Sequence, residues 1–314
     1  EALEQAIDLR FDLRASLFAL RELKKGFAYL RETEQLARAI NDQHRLAKVS
    51  VHASHHCLVA GDLKEARAFA QRAHGIAESL GDLPLRVGAA LYSGATCVAL
   101  GDLRQAEEHL EKMLRLIAGD LRRERFGLHG FPAAIVGFYL AWTLAELGEF
   151  DTAIARGREA VQAAEVVDHA YSVAAALWGL AFGYVLRGEL DPAARLLDRA
   201  LALCRDWTLP ILHPLVLGRS GLATARSGQV AEGIPALLEA TRSYEEIGPG
   251  IFNTLAVLWL GEAYALGHRY PDAHEAARRA LELVRQFNHS AYEGWALRLL
   301  GEIACQSDPL DLET

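Results

Sequence analysis

A short turn, Gly followed by an acidic or polar residue, recurs along this 314-residue chain and constrains what it can fold into. It reads Gly61-Asp62-Leu63, Gly101-Asp102-Leu103, Gly148-Glu149-Phe150 and Gly188-Glu189-Leu190, then Gly228-Gln229-Val230 and Gly267-His268-Arg269. A small residue follows each turn at a nearly fixed distance: Ala66, Ala106, Ala153, Ala193, Gly233 and Ala273, separated by 40, 47, 40, 40 and 40 residues. Seven positions later come Ala73, Met113, Ala160, Ala200, Ala240 and Ala280. Upstream of the turns a third column stays small: Ser54, Gly94, Ala141, Ala181, Gly221, Gly261 and Gly301. A period this strict, broken by one seven-residue insertion, means one supersecondary unit stacked on copies of itself.

The positions that stay small say what the unit is. Between them apolar residues recur at helical spacing, as in Leu190, Ala193, Leu196, Leu197, Ala200, Leu201 and Leu203. Gly then Asp or Glu supplies a left-handed stop for one helix and a polar start for the next. Each unit is therefore a helix, a tight turn and a second helix, with the small residues where the two cross too closely for more than a methyl group.

This pattern, a small residue, a Gly-acidic turn, Ala five later and Ala seven after that, resembles the tetratricopeptide (TPR) repeat, stretched from its usual 34 residues to about 40. The resemblance covers the chain from about Leu9 to Cys305; HEAT and armadillo repeats lack the Gly-Asp turn with its paired alanines. It implies an all-α fold, a right-handed α-α superhelix (solenoid) of about seven TPR-like hairpins. A narrower resemblance rests on Glu4-Gln5-Ala6-Ile7-Asp8-Leu9-Arg10, on Gly119-Asp120-Leu121 with Glu124-Arg125-Phe126-Gly127-Leu128, and on Ala296-Leu297-Arg298-Leu299-Leu300-Gly301-Glu302-Ile303-Ala304. These look like a bacterial group in which a TPR-like C-terminal region follows a P-loop signalling ATPase, often preceded by a class III nucleotide cyclase or a protein kinase. The catalytic parts of such proteins are not in this sequence: no Gly is followed by Lys, so there is no Walker A loop, and kinase signatures are absent.

Composition narrows the function classes. With 41 acidic and 33 basic residues the net charge is −8, which argues against a general nucleic-acid or anionic-membrane binder. Cys57, Cys97, Cys204 and Cys305 lie far apart, so neither a disulfide framework nor a zinc site is indicated, and a reducing cytoplasm is the expected setting. No signal peptide opens the chain, and the longest apolar runs, such as Ala133 to Leu147, fall short of the roughly 20 residues a bilayer span needs. The first residue is Glu1, which reads as a piece of something longer.

Along the chain the units are expected at approximately 1–42, 43–81, 82–119, 133–168, 169–207, 208–247 and 250–287, with a terminal helix at 288–306, all in one repeat domain. In the first unit Arg21 stands where the turn Gly belongs and Gly26 replaces the crossing Ala. The last helix has no partner, either as a cap or because the array is cut. A cut is favoured, since Trp295, Leu297 and Leu300 otherwise form an apolar face with little cover. The insertion, 114–132, carries Gly119, Gly127, Gly130 and Pro132 and reads as a loop or broken helix end. It can serve a function or simply be a longer second helix plus a spacer.

TPR arrays usually bind along the concave face, lined by the first helix of each unit. Counting from the small column, exposed concave positions in two adjacent units are Phe138 and Trp142, then Trp178 and Phe182, good anchors for a peptide or apolar ligand unless a tightly wound superhelix buries them. His55 falls in the same column. Farther along, Arg219, Glu262, Arg298 and Glu302 give the face a charged flank, either a partner for an amphipathic peptide or an ordinary solvated surface. His52, His55 and His56 share one helix beside Cys57, a spacing that lets two of them meet a metal. No carboxylate matches them and no HExxH pattern is present, so packing histidines explain them better. Arg122, Arg123 and Arg125 in the insertion can form an anion-binding loop, or be neutralised by Asp120 and Glu124. No catalytic triad and no phosphate loop is found, and no metal or cofactor is implied.

The sequence therefore reads as a non-catalytic, protein- or peptide-binding or ligand-sensing scaffold, a regulatory region of a larger cytoplasmic signalling ATPase or cyclase. Its partners would be a peptide or protein in the groove and other domains of the parent chain, with no nucleic acid or membrane, and a homo-oligomer is possible. Two alternatives remain: an α/α-toroid enzyme, whose mark would be a closed ring with two inward acidic residues, and a purely architectural oligomerisation module. The constant period favours an open stack.

Overall fold

The computed structural model describes residues 1–247 and 250–306, and among these it contains fifteen α-helices and no strand. Seven antiparallel hairpins follow one another: α1 (Ala2–Ala19) with α2 (Leu23–Ala39), α3 (Gln43–Ala60) with α4 (Leu63–Leu80), and α5 (Leu83–Leu100) with α6 (Leu103–Leu116). After the insertion come α7 (Pro132–Glu146) with α8 (Phe150–Val166) and α9 (Ala170–Arg187) with α10 (Leu190–Asp206). Then follow α11 (His213–Arg226) with α12 (Val230–Ile247) and α13 (Ile251–Leu266) with α14 (Tyr270–Phe287); α15 (Glu293–Gln306) has no second helix among the described residues.

The turns form for the reason their residues give. Gly61, Gly101, Gly148, Gly188 and Gly228 all have positive φ, between 80° and 94°, the left-handed conformation that ends a helix without a Cβ clash. Two units solve the problem differently. Arg21 itself takes φ 65°, and in the last turn the left-handed residue is His268 (φ 56°), while Gly267 stays at φ −88°. The acidic starts are only partly caps: Asp42, Asp62 and Asp82 accept from the backbone N–H three residues on, whereas Asp102 makes no such bond and pairs with Arg67 instead. Where two helices cross, Ala66, Ala106, Ala153, Ala193 and Ala273 are fully buried. A Cβ at Gly94 would lie 2.6 Å from the Leu110 side chain, so anything larger than glycine at that crossing obliges Leu110 to move. At the far end α15 packs on α14 and α13, leaving Leu297 48% exposed.

The odd-numbered helices form the inner wall and touch in succession, α3 to α5, α5 to α7, α7 to α9, α9 to α11, α11 to α13. α13 then packs against α3. The superhelix thus completes a turn and its late units meet its early ones. Arg21 Nη2 donates to the Ser243 carbonyl at 2.8 Å and lies 3.7 Å from Glu246, and Ser290 Oγ donates to the Leu100 carbonyl at 2.9 Å. Gly250 abuts the Val59 carbonyl so closely that any Cβ there would collide with it. Phe18, Leu23, Val59 and Ile211 form a small apolar cluster across the same junction. The expected open stack is therefore corrected: per-unit rotation is steep enough to bring the ends together within seven hairpins. α5 and α9 are long and apolar enough to match a membrane span in length and composition, but both are mostly buried in this packing.

Candidate functional site

Closure converts the expected groove into a lumen. Phe138, Trp142, Trp178 and Phe182, expected on an exposed concave face, are 4%, 1%, 0% and 0% exposed. Trp142 packs against Trp178 (centroids 5.3 Å apart) and Phe182 (5.6 Å), and reaches Phe252 on α13 at 6.1 Å, across the ring. The correction has a simple cause: the far wall of the superhelix returns over these rings.

Arg219, expected on the charged flank, is fully buried instead. Its guanidinium carbon lies 4.0 Å from the Trp259 ring centre, 4.1 Å from Phe182 and 5.3 Å from Trp178, and none of its side-chain nitrogens has a hydrogen-bond partner. Burial pushes it down to about 9, and Arg226 adds to this, against the opposing fields of Glu146 and Glu262. Three ring faces and two nearby carboxylates partly replace the lost hydration. Glu262 is held by Arg226 through two bonds, 2.5 and 3.0 Å. Arg298 and Glu302 pair with each other on the exposed surface of α15. Glu146 accepts from Trp142 Nε1 at 3.1 Å, and burial pushes its carboxyl up to about 7.

The three neighbouring histidines go to three different partners rather than to one metal. His52 Nδ1 lies 3.3 Å from Arg14 Nη1, His55 stacks on Tyr92 (4.5 Å, 16°), and His56 stacks on Phe27 (5.1 Å, 18°). Among the described residues no cluster of three or more His, Cys, Asp or Glu could hold a metal ion.

The insertion leaves α6 through a short 3₁₀ turn, Gly119–Arg123, and then dives inward. Arg125 clamps it by donating to the carbonyls of Leu128 (3.0 Å) and His129 (3.1 Å). Arg122 faces Arg156 and Glu159 across a small cleft, and Arg123 is exposed. Leu128 is buried, and Leu128, His129 and Gly130 enter the lumen.

There they complete a mostly enclosed cavity of about 50 Å³. Its walls come from Phe18 of α1, His55 of α3, Tyr92 of α5, Phe138 and Tyr139 of α7, Tyr171 of α9 and Phe252 of α13, besides the insertion. Of the expected site residues this brings together His55 and Phe138. Trp142, Trp178 and Phe182 stand behind the wall. Sequence reasoning missed Tyr92, His129, Tyr171 and Arg14. Only Arg14 carried a readable signal, a charge inside the apolar stripe Ile7, Phe11, Phe18 of α1.

No protein-family model matches the chain, and no curated protein matches its sequence. Solved structures do resemble it. A Rap protein in complex with competence and sporulation factor superposes with a TM-score of 0.56 at 14% identity, covering 96% of this chain and 98% of that one. The apo form of the quorum sensor NprR from B. thuringiensis gives 0.56 at 10% identity over 97% and 83%. A signal transduction ATPase with numerous domains and a tetratricopeptide repeat sensor, from Pyrococcus horikoshii, gives 0.58 at 15% identity, covering 95% of this chain but 47% of that protein. Identities this low speak to fold, and on fold they agree with the repeat, the crossings and the turns: the chain is a TPR-like helix-hairpin solenoid.

Proposed function

We propose that this chain is a non-catalytic, ligand-sensing TPR-like scaffold, the regulatory region of a larger cytoplasmic signalling protein, and that its sensing element is the closure of the superhelix over its lumen. The observation that carries this is the composition of the cavity wall, which draws on α1, α3, α5, α7, α9 and α13 at once, so an occupant bears on early and late units together. The three structural neighbours support the reading: one is complexed with competence and sporulation factor, one is a quorum sensor and one is a signal transduction ATPase with a tetratricopeptide repeat sensor. On the catalytic alternative, the ring does close, but Glu262 is neutralised by Arg226 and Glu146 is bonded to an indole, which leaves no free inward pair of carboxylates between them.

The test uses xenon, a neutral occupant small enough for such a cavity. Amide exchange is followed under xenon at residues 57–61 and 288–292, on the two sides of the closure. The expected result is that both sides slow together, and that Gly250→Val, which collides with the Val59 carbonyl, speeds both and cancels the xenon effect. Independent responses at the two sides would sink the proposal.

A further inference from the structure

We infer that the lumen cavity is a binding site for a small planar oxyanion, a carboxylate of about four heavy atoms, held by His55 and His129 in the field of the buried guanidinium of Arg14. This rests on the ligand-sensing reading above and names the chemistry of the ligand.

Size sets the first limit. At about 10–15 Å³ for each water-sized group, the cavity of about 50 Å³ takes roughly three to five heavy atoms. Charge sets the second. Arg14 is 4% exposed; beyond the contact of Nη1 with His52, its Nε and Nη2 have no hydrogen-bond partner, and no carboxylate pairs with it. It lies against the cavity wall, its guanidinium carbon 5.3 Å from the Phe18 ring centre, and its charge acts on His55, His129 and Tyr92, all of them wall residues. A buried cation without a counter-charge is costly, and an arginine does not escape by giving up its proton.

The contrast with Arg219 is instructive, because that cation has three ring faces and the fields of two carboxylates, whereas Arg14 has one ring and no acid. Around Arg14 every charged or titratable neighbour is a base or a tyrosine. His52 feels Arg14, Lys48, His55 and His129; His55 feels Arg14, His129 and His56; His129 feels Arg14, Arg125 and His169. A chain with net charge −8 has thus gathered bases without acids around one cavity. His55 lines the cavity, and its Nδ1 is buried without a hydrogen-bond partner. Phe18, 4.9 Å from His55 and 5.0 Å from His129, and Tyr171, 4.5 Å from His129, supply apolar walls for the ligand's carbon end. A carboxylate satisfies both demands, because it is a flat acceptor that carries the missing charge.

The experiment compares sodium acetate with acetamide, equal in size and neutral, at constant ionic strength on the full chain. Acetate is expected to raise the thermal midpoint saturably and to show nuclear Overhauser contacts from its methyl group to the Phe18 and Tyr92 rings. Half-saturation should be no tighter than about 40 µM for four heavy atoms. Acetamide should do neither. Arg14→Met and His55→Phe, which keep bulk while removing the charge or the ring nitrogens, should each abolish the acetate response. Equal responses to acetate and acetamide, or wild-type acetate responses in both variants, overturn the oxyanion site. If xenon couples the two sides of the closure while acetate has no effect, the oxyanion proposal fails and the sensing proposal stands; if neither has any effect, both fail.

Discussion

At the scale of single residues, the interior histidines give the molecule its pH dependence. Burial holds His56 and His129 down to about 4 and His52 and His55 well below their ordinary value, with Arg14 opposing their charging. Between their unfolded value near 6.5 and about 4, the unfolded chain binds protons that the folded chain refuses. The stability from these groups is therefore complete above about pH 6.5 and is lost as pH falls through that window. Glu146 works in the other direction, since a carboxyl raised to about 7 favours the folded state more at low pH than at high. Four histidines outweigh one carboxyl, so the urea midpoint should fall between pH 7 and pH 4.5, and His56→Phe should flatten the fall by about 2–3 kcal/mol. A midpoint constant over that range would contradict these environments. None of this was legible in the sequence. The spacing of His52, His55 and His56 looked the same whether they met a metal, a groove or a core, and only the packing of Arg14, Tyr92 and Phe27 against them decides it.

At the scale of the helix pair, the sequence was most informative, because a crossing distance leaves its mark on both chains that cross. Ala193 was legible as a crossing residue from its column alone, and it is fully buried. Ala193→Leu should overpack the α9–α10 crossing and cost about 1–3 kcal/mol in chemical unfolding. The columns do not carry equal weight, however. Gly301 shares its column with Gly94 and Gly261, yet a Cβ there meets nothing within 4 Å, because among the described residues no second helix crosses α15. Gly301→Ala should therefore stabilise the chain, by about 0.5–1 kcal/mol, through better helix propensity. A loss of stability there would mean that a further helix crosses α15 in the protein under test. The insertion shows the limit of this kind of reading: its glycines announced a break in the helix, but not that Leu128 and His129 turn inward.

At the scale of the whole molecule, curvature is what the repeat could not reveal. The pitch of a solenoid accumulates from a small rotation per unit, set by side-chain packing between neighbours rather than by any column of the repeat. Phe138, Trp142, Trp178 and Phe182 were therefore legible as inward-facing but not as buried; Phe252, the ring that reaches Trp142 from the far wall, lies about two to three repeats away in sequence. The closure also predicts coupling between distant bonds. Arg21→Ala and Ser290→Ala each remove a hydrogen bond across the junction and should cost about 1 kcal/mol apiece. If the ends close as one event, the double variant departs from the sum by more than about 0.5 kcal/mol; strict additivity would mean two independent contacts.

A solenoid whose units touch only their neighbours can gain or lose a repeat and remain itself. This one cannot, because Arg21 reaches Ser243 and Ser290 reaches Leu100 only when the number of units between them is right. The closure makes the molecule count its own repeats, so duplication or deletion, the usual currency of change in repeat proteins, is the kind of change this architecture least tolerates.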